Sequence, residues 1–219
     1  MIGFLHTAAV HRDTFQALVD RHAPGVAAVH VVDEEPLAGA RERGPDALVH
    51  RQVRAGLDEL VARGASLAIC TCSSLAGIAE RLGRDAGGPL PVPVLRVDRP
   101  MAEAAVRAGR RIGVVTTSAS SVAPTGELLT ECAAAAGLAV ELVPATCPDA
   151  WDLFTAGDLD GYARRIAATA ERLAPAVDVL VLAQASMEPA AARLRHLPVP
   201  VLTTPRLAVE AAAERHAAG

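Results

Sequence analysis

The stretch Pro91-Val-Pro-Val-Leu95 recurs letter for letter as Pro198-Val-Pro-Val-Leu202, 107 residues further along the chain. The same offset places Glu103 over Glu210. Each copy is rich in valine and precedes an alanine-rich run, which is typical of a short strand that leads into a helix. Because a repeat of this kind indicates a duplicated structural unit, we expect the chain to contain two related halves.

Two further matches support the duplication. Ile2-Gly3 recurs as Ile112-Gly113 at an offset of 110, and Thr71-Cys72-Ser73-Ser74 lies over Ala183-Gln184-Ala185-Ser186 at an offset of 112. The three offsets are close and keep one order along the chain, as a duplication requires. A shift of one residue in the last match would instead pair Thr71 with Gln184.

Short β-rich runs alternate along the chain with longer runs rich in Ala, Leu, Glu and Arg. Runs such as Val179–Leu182 are apolar throughout, as strands buried on both faces of a parallel sheet must be. Strands are predicted at Ile2–Thr7, Val26–Val32, Leu67–Thr71, Val92–Val97, Ile112–Thr117, Val140–Pro144, Val179–Ala183 and Val199–Thr203. Helices are predicted at Thr14–His22, Ala47–Arg63, Ser74–Leu82, Met101–Ala108, Thr125–Ala136, Leu159–Leu173, Pro189–Leu194 and Ala208–Arg215. This alternation indicates βαβ units.

The sequence therefore predicts an α/β fold of two domains related by a pseudo-two-fold axis, each a roughly four-stranded parallel sheet flanked by helices. The first domain is expected to cover residues 1–98 and the second residues 99–206. The C-terminal helix 207–219 is a candidate to pack back on the first domain. Because open α/β sheets bind ligands at the carboxyl ends of their strands, we expect the active site in the interdomain cleft.

Composition excludes several classes of function. The chain has 219 residues, no lysine and a formal net charge of -4. Without an ε-amine there is no Schiff-base catalysis, no lysine-anchored pyridoxal phosphate and no phosphate loop of the Gly-Lys-Ser/Thr type. The mild acidity and the 2% aromatic content argue against nucleic-acid binding. The aromatic residues Trp151, Phe154 and Tyr162 are expected to pack a helix or else to cover the cleft.

The sequence also gives an expectation for the cellular location and the oligomeric state of the protein. Met1–His6 matches a short strand and not a signal peptide, and no apolar run approaches the roughly 20 residues that span a bilayer. We expect a cytoplasmic protein without membrane contact, in which the four cysteines are reduced thiols. A homo-oligomer is expected, since such assemblies are common among soluble enzymes.

Small hydroxyl residues gather at the predicted carboxyl ends of the strands. They lie in His6-Thr7-Ala8, Thr71-Cys72-Ser73-Ser74, Thr116-Thr117-Ser118, Gln184-Ala185-Ser186 and Thr203-Thr204. Hydroxyls and backbone N–H groups at the start of a helix form an anion site, so a small carboxylate or amino acid is the expected ligand. The alternative is that each serine or threonine only caps its helix.

Cys72 stands where a predicted strand becomes a helix. The helix dipole and adjacent donors are expected to lower the pKa of its thiol, so that the thiolate acts as a nucleophile or as a base. The alternative is a buried, inert thiol, which suits Cys70 and Cys132 better. No second Cys or His pair has zinc-like spacing, so no metal site is predicted. His6 and Cys147 are candidates for a second proton carrier or, alternatively, structural residues.

This pattern resembles the aspartate/glutamate/hydantoin racemase superfamily over nearly the whole chain, including the duplication. The resemblance implies two α/β domains with an active site at their interface and catalysis without a cofactor. Racemases of this family carry one cysteine after the third strand of each half, and the two thiols remove and return the substrate α-proton on opposite faces. The segment Thr71–Ser74 matches the first motif, Ala-Cys-Asn-Thr, with Cys72 at the cysteine position.

The second motif departs from the family. The segment Leu182–Met187 is similar to Leu-Gly-Cys-Ala-Gly-Met, with Gln184 at the cysteine position. Glutamine is not a general acid or base near pH 7, so the two-thiol mechanism is incomplete. His6-Thr7 stands where the glutamate racemases carry Asp-Ser, and the candidate catalytic residues are Cys72, Gln184 and His6. Candidate substrate-binding residues are Thr7, Ser73, Ser74, Thr116, Thr117, Ser186 and Thr203.

Three functions compete. The first is a cofactor-independent, racemase-like isomerase that acts on a small carboxylate or amino acid with the Cys72 thiolate. The second is a decarboxylase or lyase on the same scaffold, which needs only one proton donor. Arylmalonate decarboxylase-like members of the superfamily keep a single cysteine, but in the second half of the chain. The third is a carboxylate-binding protein without catalytic activity.

Overall fold

The computed structural model describes residues 1–84, 90–117 and 119–218. The chain divides into two compact units, Met1–Val97 with Pro205–Gly219 and Asp98–Thr204. Each unit contains a four-stranded sheet in which every pair of neighbouring strands is parallel, with helices between successive strands. The predicted α/β class with two four-stranded parallel sheets is confirmed.

The first unit contains four strands and most of the helices of the first half. Its strands are β1 (Ile2–His6), β2 (Ala28–Val32), β3 (Leu67–Cys70) and β4 (Val94–Arg96). Its helices are α1 (Val10–His22), α2 (Glu35–Arg43), α3 (Ala47–Ala62) and α4 (Ser73–Arg84). The order of the strands in the sheet is β2-β1-β3-β4.

The second unit repeats this arrangement. Helix α5 (Arg99–Ala108) precedes its strands, which are β5 (Arg111–Thr116), β6 (Glu141–Thr146), β7 (Val179–Leu182) and β8 (Val201–Thr203). The intervening helices are α6 (Ala119–Ala136), α7 (Asp149–Thr155), α8 (Leu159–Leu173) and α9 (Glu188–Ala191). The order β6-β5-β7-β8 matches that of the first sheet, and α10 (Thr204–Ala218) returns the chain to the first unit.

The repeated Ile-Gly pair has the same packing role in both units. A Cβ atom on Gly3 of β1 would lie 2.8 Å from the Cβ of Ala65, and one on Gly113 of β5 would lie 2.8 Å from side-chain atoms of Leu173 and Leu180. The Cβ of Ala65 cannot rotate away, so glycine is required at position 3. The ends of Leu173 and Leu180 can adjust at some cost, so position 113 favours glycine less strictly.

All eight predicted strands are present, and their differences from prediction have simple causes. The strands β4 and β8 begin one residue after Pro93 and Pro200, because proline has no N–H to donate to the sheet. Helices α2 and α7 were not among the predicted helices. Helix α2 has nine residues and α7 has seven, and neither sequence shows a clear helical pattern. Whether such short segments become helical depends on tertiary packing.

The interior of each unit is mostly aliphatic, with Phe4 and Phe15 buried in the first unit and Tyr162 in the second. Every residue of β1, β3 and β7 is buried, which agrees with strands covered on both faces. Within the described part of the chain, no helix combines the length and the apolar character that a membrane span needs.

Candidate active site

Cys72 lies two residues beyond the end of β3 and directly before α4. Its carbonyl oxygen accepts hydrogen bonds from the backbone N–H groups of Leu75 and Ala76, at 3.0 and 2.8 Å, and so begins the helix. Its sulfur interacts with the side chain of Thr7 and with the backbone N–H groups of Leu75 and Ser74. The start of the helix therefore directs N–H groups at the thiol, an arrangement that stabilises a thiolate.

Burial nevertheless raises the pKa of the Cys72 thiol above its ordinary value of 9.0. Loss of solvation is the largest effect, and the donors from Thr7, Leu75 and Ser74, with the positive charge of Arg41, oppose it. The direction is opposite to the lowered pKa expected from the sequence. The expected donors are present, but the half-buried residue packs against the core of the first unit, and desolvation outweighs them.

Three further hydroxyl residues belong to the surroundings of Cys72. Ser73 and Ser74 form the first turn of α4 and are partly exposed, and Thr7 follows β1 and contacts the sulfur. We call Thr7, Cys72, Ser73 and Ser74 the Cys72 cluster. It combines a titratable thiol with hydroxyl and N–H donors, which is the chemistry that a carboxylate ligand requires.

His6 is the last residue of β1 and is fully buried. Its Nδ1 lies 2.9 Å from the hydroxyl oxygen of Thr71, and its Nε2 lies 2.9 Å from Nδ1 of His30. Burial, followed by the charges of His30, His11 and Arg12, lowers the pKa of His6 to about 3. A neutral, enclosed ring with both nitrogens occupied favours the structural alternative for His6 over the catalytic one.

Gln184 holds the position in the second unit that Cys72 holds in the first. Gln184 lies two residues beyond the end of β7, as Cys72 lies two residues beyond β3. The intervening residue donates its N–H to the neighbouring central strand in both units, Thr71 at 2.9 Å and Ala183 at 3.1 Å. The strand register therefore pairs Cys72 with Gln184 and excludes the pairing shifted by one residue.

The side chain of Gln184 is held by Thr117. Its Oε1 accepts from the Thr117 backbone N–H at 2.6 Å and from the Thr117 hydroxyl at 2.7 Å. Because a backbone N–H can only donate, the oxygen and nitrogen of this amide are unambiguous. Within the described part of the chain the Nε2 group has no acceptor, and the residue is half-exposed. The amide can therefore donate two hydrogen bonds to a ligand.

Two of the predicted binding threonines are enclosed instead. Thr116 is fully buried, and its hydroxyl lies 3.2 Å from that of Thr146 across β5 and β6. Thr203, the last residue of β8, is 3% exposed. This burial favours a structural role for the two side chains over the predicted binding of a substrate. Ser118, which follows Thr117 at the same strand end, lies outside the described residues.

Tyr162 is a member of this site that sequence reasoning placed in helix packing. Its phenol oxygen lies 2.7 Å from the hydroxyl oxygen of Ser186. Burial raises the pKa of Tyr162 to about 12, and the hydroxyls of Ser186 and Thr117 partly oppose this rise. We call Thr117, Tyr162, Gln184 and Ser186 the Gln184 cluster. One feature of the sequence could have indicated this role. The chain has only one tyrosine, and a buried tyrosine needs a hydrogen-bond partner for its hydroxyl.

The other cysteines are buried, and two of them lie beside the clusters: Cys70 Sγ donates to the Cys72 carbonyl at 3.9 Å, and the charge of Cys147 contributes to the raised pKa of Tyr162. The Cys147 thiol is buried and donates to the carbonyl of Thr116 at 3.3 Å, and burial raises its pKa. That geometry supports the turn-lining alternative for Cys147. Cys70 and Cys132 are buried in β3 and α6. Among the described residues there is no group of three or more His, Cys, Asp or Glu side chains that could hold a metal ion.

Comparison with known proteins identifies the family of this chain. A family model described as Asp/Glu/Hydantoin racemase matches residues 88–212. The chain is also 37% identical over 119 residues to the glutamate racemase of Parafrankia sp. (strain EAN1pec). That match covers 53% of this chain and 41% of the relative, so the chain spans less than half the length of this curated protein.

Solved structures share the fold over nearly the whole chain. Glutamate racemase isoform RacE1 from Bacillus anthracis has a TM-score of 0.70 at 18% identity, over 100% of this chain and 82% of that one. The aspartate racemase of Picrophilus torridus has a TM-score of 0.70 at 13% identity, over 99% of this chain and 94% of that one. These identities establish a likeness of fold alone. The family model covers more than half of the residues, and on that basis the chain belongs to the Asp/Glu/hydantoin racemase family.

Proposed function

We propose that the protein is a cofactor-independent isomerase that moves a proton at the α-carbon of a small carboxylate or amino acid, with Cys72 as the group that carries the proton. The observation that carries this proposal is the position of the Cys72 sulfur. It lies at a strand-to-helix junction and interacts with the Thr7 side chain and with the N–H groups of Ser74 and Leu75. Those donors stabilise the thiolate once it forms.

The proposed step is a proton abstraction followed by its reversal. The Cys72 thiolate removes the α-proton, and the electron pair of the C–H bond moves into the carboxylate to give an enediolate. Donors of the Cys72 cluster, chiefly Ser73 and Ser74 at the start of α4, stabilise the added charge on the carboxylate oxygens. Return of the proton by Cys72 restores the thiolate and the original configuration. For inversion, water gives a proton to the opposite face of the enediolate, and the Cys72 thiol releases its proton to solvent, which restores the thiolate. Gln184 transfers no proton, because its amide is neither an acid nor a base near neutral pH.

The raised pKa of Cys72 predicts how the reaction rate depends on pH. In the ligand-free protein the thiol is mostly protonated at neutral pH, because burial raises its pKa above 9.0. Proton abstraction requires the thiolate, so the rate is expected to increase with pH through the neutral and alkaline range.

One observation favours a second candidate, a one-sided decarboxylase. A thiol that stays protonated near neutral pH is suited to donate a proton. In that reaction a C–C bond breaks, carbon dioxide leaves, and the electron pair remains on the enediolate. The Cys72 S–H then gives its proton to carbon, and water reprotonates the sulfur. Gln184, which has no proton to give, fits a reaction that needs one proton donor.

Product analysis distinguishes these reactions. The protein is incubated in deuterium oxide with D- and L-aspartate, D- and L-glutamate, and substituted malonates, and proton NMR and chiral chromatography follow the products. An isomerase incorporates deuterium at the α-carbon and inverts it, whereas a decarboxylase releases carbon dioxide. Stabilisation by one of these compounds without turnover identifies a binding protein instead.

Two variants test the role of Cys72 in whichever reaction is found. Cys72→Ala is expected to reduce the rate to the uncatalysed level, because no other group takes over proton transfer. Cys132→Ala removes a thiol that is buried in α6 of the second unit and is the matched control, with activity retained. A Cys72→Ala protein with wild-type activity would overturn the assignment of Cys72.

A further inference from the structure

Gln184 is held by hydrogen bonds both at its backbone and at the end of its side chain. The N–H of Ala183 donates to the carbonyl of Val115 at 3.1 Å, and the N–H of Met187 donates to the carbonyl of Gln184 at 2.9 Å. At the amide, Oε1 accepts from the Thr117 backbone N–H at 2.6 Å and from the Thr117 hydroxyl at 2.7 Å. A side chain that is ordered in advance loses less conformational entropy when it binds a ligand.

The two Thr117 donors determine what the amide of Gln184 can offer. An amide oxygen has two lone pairs, and these donors occupy both of them. The side chain therefore has no acceptor to offer, whereas its Nε2 group has two donors. Within the described part of the chain those donors have no protein acceptor, and the residue is half-exposed. An oxygen atom of a ligand can therefore accept from them in place of water.

Thr117 itself has no donor left for a ligand. The residue is 2% exposed, and both its backbone N–H and its hydroxyl hydrogen are directed at Gln184. The sequence predicts that Thr117 binds the substrate directly. The geometry favours an indirect role, in which Thr117 acts through the amide that it holds.

We propose that Gln184 recognises a carboxylate or carbonyl oxygen of the ligand through Nε2, and that Thr117 is the positioning residue that holds the amide for this contact. An ammonium group can only donate, so an amide without a free acceptor does not bind it. An amino acid is thus recognised at Gln184 through its carboxylate and not through its amino group. The choice of a small carboxylate or amino acid as the ligand rests on the proposed function, whereas the orientation of the amide does not.

The amino-acid composition makes this inference directly measurable. The chain has three glutamines, Gln16, Gln52 and Gln184, and no asparagine. A nitrogen-15 correlation spectrum therefore contains only three side-chain NH2 pairs, and the pair missing from Gln184→Met is assigned to Gln184. Gln16 and Gln52 lie in the first unit and serve as internal references.

Titration of the wild-type protein tests the class of ligand. The probes are aspartate, glutamate and glutarate, which carry carboxylates, and cadaverine, a linear diamine that carries ammonium groups instead. We expect at least one carboxylate to shift the Gln184 pair and cadaverine to leave it in place, with the Gln16 and Gln52 pairs unchanged. A Gln184 pair that cadaverine shifts, or that no carboxylate shifts, would overturn the recognition of a carboxylate by Gln184.

Two variants test the positioning role of Thr117. Thr117→Val keeps the shape and the backbone N–H but removes the hydroxyl. We expect the Gln184 pair to change its chemical shift and to show a reduced heteronuclear NOE. The Kd of the carboxylate, read from the titration, should rise about 3- to 10-fold, as expected for one weakened hydrogen bond. Thr117→Ala, which also lacks the hydroxyl, replaces the valine variant if that protein does not fold.

Thr117→Ser is the matched control, because it loses a methyl group and keeps the hydroxyl. The Gln184 pair should stay close to its wild-type position, with the Kd within about twofold of wild type. A role of Thr117 in packing alone predicts that the serine variant is disturbed as much as the valine variant. A Gln184 pair that is unchanged in Thr117→Val, or changed equally in both variants, would overturn the proposal.

The outcome is separable from that of the proposed function. If a carboxylate shifts the Gln184 pair but none of the compounds is transformed, the proposed function fails and the recognition of a carboxylate by Gln184 stands. If the protein is active but Thr117→Val has the wild-type KM and an unchanged Gln184 pair, the inference is overturned and the function stands.

Discussion

At Cys72 two physical effects act on one sulfur atom in opposite directions. The start of α4 supplies N–H donors that favour the thiolate, and burial removes the water that favours it more strongly. A thiol with a raised pKa is scarce as a thiolate at neutral pH but is a stronger base once it ionises. This suits the removal of a weakly acidic proton from carbon, provided that the pH or the bound substrate supplies the ionised form.

Gln184 offers a test of ligand binding at the residue scale. Gln184→Glu keeps an oxygen for the two Thr117 donors and replaces the Nε2 donor with a negatively charged oxygen. A carboxylate ligand should then bind to this residue at least about 10-fold more weakly, because a donor becomes a like charge. Calorimetric titration with D- and L-aspartate and glutamate measures the effect. A Kd equal to that of wild type would show that Nε2 does not bind the carboxylate.

His6 belongs to a chain of side-chain hydrogen bonds that leads out of the first unit. The chain runs from Thr71 to His6 and His30, each step 2.9 Å, then to Gln16 at 3.0 Å and Asp20 at 2.8 Å. The Thr71 hydroxyl donates to the carbonyl of Leu5 at 3.1 Å, so it accepts from Nδ1 of His6, and the Gln16 Oε1 atom accepts from Nε2 of His30. Burial lowers the pKa values of both rings, so the folded protein requires them to be neutral.

The pH dependence of stability follows from that requirement. The pKa of His6 is about 3 in the folded protein and 6.5 in the unfolded chain. Between pH 3 and pH 6.5, therefore, the unfolded chain binds a proton at His6 that the folded protein does not bind. Stability is complete above pH 6.5 and is lost as the pH falls towards 3, by up to about 1.4 kcal/mol per pH unit for one such group. Burial also lowers the pKa values of His30 and His11, which act in the same direction.

Urea unfolding at pH 8, 6.5 and 5 measures this slope. His6→Phe keeps ring contacts with Phe4 and Phe15 and should flatten the loss below pH 6.5, at the cost of lower stability at pH 8. His196→Gln changes a histidine with a side chain that is 62% exposed and should leave the slope unaltered. An acid slope that is the same in His6→Phe and wild type would contradict a role for His6.

The residue scale also marks the boundary of sequence-based reasoning. The position of Cys72 before a helix is readable from strand and helix patterns, and it is found there. The pKa direction of Cys72 and the burial of His6 depend on how much solvent tertiary packing removes, which no local pattern records. Tyr162 reaches the Gln184 cluster from α8, 22 residues before Gln184, and only the packing of α8 brings the two together.

At the scale of elements, a glycine on each central strand, β1 and β5, allows neighbouring residues to pack closely against that strand. The nearest atom to a Cβ on Gly3 would be the Cβ of Ala65, which cannot rotate away. For Gly113 the nearest atoms are the branch ends of Leu173 and Leu180, which can adjust at some cost. A Cβ on Gly126, within α6, would lie 3.5 Å from Leu142, an ordinary contact.

These distances predict a ranking of alanine substitutions. Gly3→Ala should destabilise the protein most and Gly113→Ala less, both within the range of about 1–3 kcal/mol that overpacking costs. Gly126→Ala, the matched control, should be neutral or stabilising because alanine favours a helix. Urea unfolding followed by circular dichroism gives the ranking, and the fluorescence of Trp151 reports Gly113→Ala within its own unit. A Gly3→Ala protein as stable as Gly126→Ala would contradict the packing described here.

Strands were predictable from the sequence because residues buried on two faces leave continuous apolar runs, as in Val179–Leu182. Because the chain is duplicated, a strand predicted in one half also supports the corresponding strand in the other half. Helix α2 was signalled only by the acidic residues at its start, where Asp33 accepts from the N–H of Glu35 at 3.1 Å. Short elements such as α7 carry too few residues for a periodic pattern, so their existence depends on the packing of their neighbours.

At the scale of the whole molecule, one α/β unit with the strand order 2-1-3-4 occurs twice in a single chain. The two copies keep the strand-to-helix junction after the third strand and differ in the residue placed there, Cys72 in one and Gln184 in the other. Duplication of a fold therefore has not kept the two junctions chemically equal. Only one of them carries a titratable side chain.

Composition gives a prediction at this scale. The chain contains no lysine, so an imine between the protein and a carbonyl compound could form only at the terminal amine. Sodium borohydride added during turnover should therefore leave the intact mass and the activity unchanged. A mass increase equal to reduced substrate attached to the chain would contradict the proton-transfer mechanism.

The central claim is that Cys72 carries the proton and meets the substrate. The most direct test is the rate of Cys72 alkylation by iodoacetamide as a function of pH, followed by intact mass and peptide mapping, with and without the compound that the product analysis identifies. We predict an apparent pKa above 9.0 in the free protein and protection of Cys72 by the substrate. Alkylation that titrates below 9.0, or that the substrate does not slow, would contradict the account.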